Sequence, residues 1–94
     1  MAGVDIDRYL GRVERSFRTG VGSPPFADPA FTQADAYRVQ YRLIDRLRSN
    51  GEVVVGHKVA LTTKASREHL GVDEPCFGHI LDRCVYANDS QVPI

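Results

Sequence analysis

Residues 51–81 read GEVVVGHKVALTTKASREHLGVDEPCFGHIL. Three consecutive valines, with Val59 shortly after them, predict a β-strand over 52–61, because β-branched residues favour strands. An apolar run of this kind is typical of a strand that is buried on both faces. Gly56 lies inside the run and predicts a bulge, or a close approach by another backbone or a ligand. We expect the rest of the chain to fold around this strand.

Lys58 is the one charged residue in the middle of this apolar run. A buried ammonium group needs an anion or a water-filled cleft, because an unpaired buried charge is too costly to persist. Clefts of this kind hold small molecules, so Lys58 is the first candidate for a substrate contact. The alternative is a lysine at the strand edge, with its stem on apolar surface and its ammonium group in water. His57 should point to the opposite face, as a structural histidine.

The remainder of 51–81 predicts short elements. Thr62 or Thr63 is placed to cap a third helix over about 64–70, and Gly71 is placed to end it. Residues 72–75 then predict a turn. Two short strands are expected near 77–81 and 83–87.

Two helices are predicted upstream of the strand. Residues 4–19 carry an apolar stripe, with Asp5 as a cap and Gly20 as a stop. Its members are Ile6, Tyr9, Leu10, Val13 and Phe17. The loop over 20–31 should be anchored by Phe26 and Phe31.

The second predicted helix covers 33–49 and should end at Asn50-Gly51. Thr32 and Asp35 have the spacing of a weak variant of the capping box. The expected inner face consists of Ala36, Val39, Gln40, Leu43, Ile44 and Leu47. The fold class is therefore α+β, with two or three N-terminal helices packed on a few short strands.

Size and charge exclude several functions. The chain has 94 residues, enough for one small domain, and a formal net charge of +0. A balanced charge argues against nucleic acid or an anionic membrane as a partner. No apolar stretch approaches the roughly 20 residues of a membrane span, and the N-terminus has no signal-peptide pattern. Two cysteines make no disulfide framework, so we expect a cytoplasmic location.

Several polar residues in 62–84 are further candidates. Thr62 and Thr63 could donate hydrogen bonds to a substrate carboxylate at a helix N-terminus, although capping is the commoner role. Asp73 stands in the predicted turn, where a purely local role is favoured. Cys76 is either a small apolar core residue or, with His79 as its base, a nucleophile. Cys76, His79 and Cys84, together with His69, are also the potential ligands of a zinc site, although their spacing matches no standard module.

Three blocks together resemble a known family. They are ADAYRVQ at 34–40, GEVVVGHKVALTT at 51–63 and LGVDEPCFGHIL at 70–81. The sequence resembles the N-terminal portion of the 2-keto-4-pentenoate hydratase and 4-oxalocrotonate decarboxylase family. That family shares its core fold with fumarylacetoacetate hydrolase, so the resemblance implies the cap region of a larger, β-rich hydratase fold.

The resemblance implies a lyase activity. Family members hydrate or decarboxylate 2-keto-enoic acids from the meta-cleavage of aromatic compounds, with the help of a divalent ion such as Mg²⁺ or Mn²⁺. By resemblance Lys58 would bind or protonate the intermediate. Thr62, Thr63 and the turn from Asp73 to Phe77 would line the substrate cleft.

Two departures from the family pattern matter. Cys76 occupies a position where the hydratase branch often has an aspartate involved in proton transfer, so Cys76 becomes a candidate for that step. The metal-binding glutamates of the family lie beyond the region covered, and the chain contains no Glu-x-Glu pair. We therefore expect residues 1–94 to be a single N-terminal domain or fragment that binds no metal and is inactive alone.

The expected partners follow from the same reasoning. They are a small 2-keto acid, the missing C-terminal portion or a partner chain, and further copies in a homo-oligomer. The alternative from a different class is a non-catalytic module that binds a partner chain or a small carboxylate.

Overall fold

The computed structural model describes residues 4–24 and 28–93, so the predicted anchor Phe26 lies outside the described residues. The chain divides into two compact units, Met1–Ser49 and Asn50–Ile94. Over the described ranges it contains three α-helices and one two-stranded antiparallel sheet. The predicted α+β class is confirmed. None of the three helices has the length and apolar character that a membrane span requires.

Helix α1 covers Ile6–Thr19 and has both predicted ends. The Asp5 carboxylate accepts a hydrogen bond from the Arg8 N–H at 3.3 Å, which satisfies one of the free donors of the first turn. Gly20 adopts the left-handed conformation with φ 73° and donates its N–H to the Ser16 carbonyl at 2.9 Å. A glycine suits this ending because it has no Cβ to clash in that conformation.

Helix α2 covers Gln33–Ser49 and begins with a complete capping box. The Thr32 N–H donates to Asp35 Oδ2 at 3.0 Å, and the Asp35 N–H donates to Thr32 Oγ1 at 3.1 Å. Arg38 adds an ion pair to Asp35 at 2.6 Å. The aspartate thus fills the place that glutamate usually takes in this motif, and the predicted capping role is confirmed.

The two helices of the first unit pack against each other through apolar faces and charged flanks. Asp7 on α1 pairs with Arg42 on α2 at 2.9 Å, and Glu14 pairs with Arg46. The buried residues are Tyr9 and Leu10 on α1, and Asp35, Val39, Leu43, Ile44 and Leu47 on α2. Four of the six predicted inner-face positions of α2 are therefore buried, whereas Ala36 is exposed and Gln40 is half-buried.

The connection between the helices is held on the first half of α1. The Tyr9 hydroxyl donates to Asp28 Oδ2 at 3.2 Å, and the Tyr9 ring packs against Phe31 with 4.6 Å between centroids. Phe31 is thus an anchor as predicted, and it brings the chain back beside Tyr9 immediately before α2 begins.

The second unit contains strand β1 (Val54–Ala60), helix α3 (Lys64–Leu70), strand β2 (Cys76–Leu81) and a 3₁₀ turn at Asp82–Cys84. The strands pair antiparallel, and the register shifts between Val54, opposite Leu81, and Gly56, opposite Ile80. Val55 is therefore the extra residue of a β-bulge, which confirms the bulge predicted from Gly56.

The strand predicted over 83–87 is wrong. The chain turns at Asp82, whose N–H donates to the Val53 carbonyl at 2.9 Å and whose Oδ1 accepts the Val53 N–H at 3.2 Å. The Val85 N–H then donates to the Asp82 carbonyl at 3.1 Å and closes the 3₁₀ turn. An aspartate that bonds the neighbouring strand and its own following turn outweighs the strand preference of Val85 and Tyr86.

The predicted burial of β1 is also wrong. Val53, Val55 and Val59 are more than half exposed, and Val59 reaches 70%. The described sheet has only two strands, so a β-branched run that suits a covered strand remains open to solvent. The composition of a strand indicates its preferred surroundings, but neighbouring elements have to supply them.

Candidate functional site

Lys58 lies on β1 directly opposite Gly78 of β2. A Cβ atom placed on Gly78 would be 3.4 Å from Lys58 Cε and 3.7 Å from Lys58 Cγ, so the lysine stem crosses the bare backbone of Gly78. Lys58 as a whole is exposed. The argument from a buried charge therefore fails for the described chain, whose geometry is that of a lysine with a packed stem and a solvated ammonium group.

The strand that carries Lys58 ends in a strained turn. Leu61 has φ 58°, in the left-handed region that is unfavourable for a residue with a Cβ. Its carbonyl accepts a hydrogen bond from Arg67 Nη1 of α3 at 3.0 Å. Strain of this kind persists only where the surroundings hold it, and it is concentrated at functional sites. Arg67 is thus a positioning residue for the turn between Lys58 and the two threonines.

Thr63 uses its side chain to cap α3. Its Oγ1 accepts the Ser66 N–H at 3.2 Å, and its hydroxyl lies 2.9 Å from Ser66 Oγ. The Ser66 hydroxyl in turn donates to the Thr63 carbonyl at 2.8 Å. The structural role given as an alternative for Thr63 is therefore observed, whereas Thr62, next to it, is exposed.

The candidates on β2 are divided between the two faces of the sheet. Cys76 lies opposite Ala60, so it shares a face with Lys58 two positions away along each strand. Phe77 lies opposite Val59 and points to the other face. Asp73 is exposed in the turn before β2. The sheet thus brings Cys76 and Lys58 to one surface and places Phe77 on the reverse side.

The reverse face carries two histidines. His57 and His79 are cross-strand partners with 5.0 Å between ring centroids, and the Phe77 ring lies 6.1 Å from that of His79. Partial burial lowers the pKa of the His79 imidazole, and the neighbouring His57 lowers it further. His79 is thus held toward its neutral form.

The alternative of a zinc site at Cys76, His79, Cys84 and His69 is not supported. Within residues 4–24 and 28–93, no group of three or more His, Cys, Asp or Glu side chains is placed to hold a metal ion. Strand alternation explains this, because it sends Cys76 and His79 to opposite faces of β2. The same observation bears on Mg²⁺ or Mn²⁺, which prefer oxygen ligands such as carboxylates. The residues described here do not fit such an ion.

Two contributors were missed by sequence reasoning. Arg67 donates a hydrogen bond to the carbonyl of Leu61, six residues earlier, and no sequence motif predicts that contact. Gly78 gives Lys58 its path across the sheet, a role that depends on strand register. A glycine inside a predicted strand was the available signal, since it marks a close approach by a neighbouring group.

A separate shallow cavity of about 200 Å³ lies in the first unit and is bordered by Arg12 and Arg15. The Arg12 guanidinium donates to Ser23 Oγ at 3.1 Å and to the Pro24 carbonyl at 2.6 Å. This arginine holds the residues after α1 in place, so part of its donor capacity is already used.

The comparisons with known proteins agree with one another. The chain is 40% identical over 86 residues to a 2-hydroxypent-2,4-dienoate hydratase of Pseudomonas putida, covering 92% of this chain and 37% of that protein. It is 39% identical over 91 residues to a 2-keto-4-pentenoate hydratase of Burkholderia vietnamiensis, covering 95% and 35% respectively. No family model matches the chain.

A solved structure supports the same relationship. The fold matches a 4-oxalocrotonate decarboxylase from Pseudomonas putida G7, complexed with calcium and acetate, with a TM-score of 0.70 and 26% sequence identity. The match covers 88% of this chain and 34% of that one. The chain therefore spans about a third of the length of the relatives it matches. In sequence and fold the chain is thus similar to part of the 2-keto-4-pentenoate hydratases and 4-oxalocrotonate decarboxylases.

Proposed function

We propose that the chain supplies the N-terminal portion of a metal-dependent lyase that hydrates or decarboxylates 2-keto-enoic acids from aromatic meta-cleavage. The observation that carries the proposal is the 40% identity to a dienoate hydratase over nearly the whole chain. The portion that holds the divalent ion, Mg²⁺ or Mn²⁺, would come from the rest of the family fold. A cytoplasmic location and a homo-oligomeric assembly stay predictions.

Lys58 is the central residue of this proposal. Its stem is fixed over Gly78, and its ammonium group is free to meet a negatively charged ligand. An ammonium–carboxylate pair at about 4 Å is worth about 1 kcal/mol in water and about 4 kcal/mol at an effective dielectric constant of 20. The same charge stabilises an enolate that forms during the reaction, provided that water is excluded when the substrate is bound.

The neighbours of Lys58 have supporting roles in the proposal. The Leu61 turn, held by Arg67, would present the exposed Thr62 hydroxyl to the keto acid, whereas the Thr63 hydroxyl already donates to Ser66 Oγ at the cap of α3. Cys76 shares the face of Lys58 and is the candidate for the proton-transfer position. Asp73 would border the cleft from the turn, whereas Phe77 lies on the reverse face of the sheet and does not border a cleft at Lys58.

The exposed sheet supports the idea of a missing portion. Val55, Val59 and Phe77 are all exposed, and an isolated two-stranded hairpin is at best marginally stable in water. Apolar residues on both faces of such a hairpin favour further strands or helices as cover. This need fits a chain that spans about a third of its relatives.

The activity test uses a chimera. The chain replaces the matching segment of the Pseudomonas putida dienoate hydratase, and consumption of the dienoate is followed by its ultraviolet absorbance in the presence of Mg²⁺ or Mn²⁺. Lys58→Met should lower kcat/KM by at least about 100-fold, because it removes the charge and any proton transfer together. Lys64→Met is the matched control, since Lys64 is the only other lysine and forms just a 3.8 Å surface pair with Glu68.

Lys58→Arg separates binding from proton transfer. Arginine keeps the positive charge but does not give up a proton at neutral pH. An anchoring role predicts that this variant retains most of its activity, whereas a proton-transfer role predicts a loss close to that of Lys58→Met. Equal activities of the Lys58→Met and Lys64→Met chimeras would rule out both roles.

The isolated 94-residue chain should show no turnover of the same dienoate with either ion. Robust turnover by the purified chain would contradict the proposal that the catalytic metal site lies elsewhere in the family fold. The non-catalytic alternative, a module that binds a small carboxylate, predicts acetate binding by the chain alone. Loss of that binding in Lys58→Met, with an inactive chimera, would favour the module.

A further inference from the structure

We infer that Gly78 is a positioning residue for Lys58, because its bare backbone lets the lysine stem cross strand β2 and keeps the ammonium group above that strand. The inference rests on the proposed function, in which this ammonium group binds the keto acid. Gly78 itself touches no substrate. It acts through the side chain for which it leaves room.

Strand register brings the two residues together. Lys58 is the cross-strand partner of Gly78, so the two positions share one face of the sheet. The lysine stem leans over the neighbouring strand, since its Cγ is 3.7 Å and its Cε 3.4 Å from the place where a Cβ of residue 78 would stand. Because Nζ is bonded to Cε, the ammonium group also lies above β2.

The other small residues on this face leave the space around the stem open. Strand alternation puts Gly56 and Ala60 beside the lysine on β1, and Cys76 two positions along β2 from the facing glycine. These side chains are a hydrogen atom, a methyl group and a single thiol, and they are too short to enclose a lysine stem. The path of the stem is therefore decided at position 78.

A branched side chain at position 78 would displace the ammonium group. A single methyl group there would stand 3.4 Å from Lys58 Cε, at the edge of ordinary van der Waals contact. The two further methyl groups of valine would extend into the volume of the stem and force the lysine into another rotamer. Gly78 does not have a positive φ, and β-branched residues favour strands. We therefore expect Gly78→Val to fold no less well than the parent chain.

The test measures kcat/KM of the dienoate hydratase chimera. Gly78→Val should lower it at least about tenfold, because the attraction between ammonium and carboxylate weakens as the two charges separate. Gly78→Ala should stay within about threefold of the parent, since its methyl group only reaches contact distance. In a Lys58→Ala background, Gly78→Val should change kcat/KM by less than about twofold, because the stem through which Gly78 acts is gone.

Gly56→Val is the matched control, because Gly56 lies on the same face and a Cβ there meets Ile80 Cδ1 at 3.8 Å instead of the lysine. It should stay within about threefold of the parent chimera. In the 94-residue chain, nuclear Overhauser effects between the Gly78 α protons and the Lys58 ε protons should be observed. The Tm of Gly78→Val, measured by far-UV circular dichroism, should not fall.

Four results would overturn the inference. They are an absent Overhauser contact, an active chimera that tolerates Gly78→Val, an equal loss in the Lys58→Ala background, and a Gly78→Val variant that loses its fold. A parent chimera without activity, or one that keeps full activity after Lys58→Ala, would instead overturn the proposed function itself.

Discussion

The N-terminus of α2 provides a test of how far local hydrogen bonds determine the stability of this chain. Thr32→Ala removes the oxygen that accepts the Asp35 N–H at 3.1 Å. It also leaves the Thr32 N–H bonded to Asp35 at 3.0 Å, so half of the capping box survives. The substitution therefore removes the contacts of the Thr32 hydroxyl with Asp35 and leaves the backbone half of the box in place.

The expected loss is about 1 kcal/mol, within the range of roughly 0.5–2 kcal/mol measured for threonine and serine caps. A chain of 94 residues has a total stability of roughly 5–14 kcal/mol at about 0.05–0.15 kcal/mol per residue. In thermal terms, 1 kcal/mol lowers the Tm of a domain of this size by about 4–8 °C.

Thermal unfolding followed by far-UV circular dichroism measures the change. Thr32→Ser is the matched control, because serine keeps the accepting hydroxyl and should stay within about 0.5 kcal/mol of the parent chain. A Thr32→Ala variant with the same Tm as the parent, or a Thr32→Ser variant as unstable as Thr32→Ala, would refute the assignment of this stability to the hydroxyl oxygen.

The same cap has a pH dependence through Asp35. The hydrogen bond from the Thr32 backbone, then that from its side chain, and finally Arg38 hold the pKa of Asp35 below its ordinary value. The ionised carboxylate is favoured in the folded state, so its stabilisation is fully present above about pH 4 and is lost as the pH falls through the folded-state pKa. The difference in Tm between the parent chain and Asp35→Asn should therefore shrink below about pH 4. A constant difference down to pH 2 would contradict this account.

Two further predictions concern packing and titration. Leu10 is 1% exposed, so Leu10→Ala should lower the free energy of unfolding in urea by about 2–5 kcal/mol. Val21→Ala is the control, because Val21 is 68% exposed and its truncation should cost less than about 0.5 kcal/mol. Similar losses in the two variants would show that Leu10 is not the centre of the helical core. His79 should titrate below the ordinary histidine pKa in an NMR pH series, because burial and then His57 oppose its protonation, and His57→Gln should raise that pKa. The folded state therefore favours the neutral ring, and the stability that this preference contributes is lost as the pH falls through the lowered pKa. A His79 that titrates at the ordinary histidine pKa would contradict the packing described for β2.

The helices were predictable because their determinants are close in sequence. Asp5 and Gly20 bound α1 as expected, and Thr63 caps α3. The Thr32–Asp35 box was also visible from spacing alone. Each of these signals acts within four residues along the chain, so no knowledge of the tertiary structure is needed to interpret it.

The strands were less predictable because their neighbours are distant in sequence. The bulge beside Gly56 was expected, but the strand proposed over 83–87 was replaced by a turn that depends on contacts between Asp82 and Val53, 29 residues apart. The burial of Lys58 was wrong for the same reason, since an apolar strand is buried only where another element covers it.

The sequence by itself therefore determined the resemblance to the hydratases and decarboxylases, the helix ends and the identity of the candidate side chains. Strand register decided which of those side chains meet: it placed Cys76 on the face of Lys58, put Gly78 under the lysine stem and paired His57 with His79. The physical reason is the two-residue period of a β-strand, by which a shift of one position sends every side chain to the opposite face. That register depends on hydrogen bonds between segments about 20 residues apart, which only the tertiary structure defines.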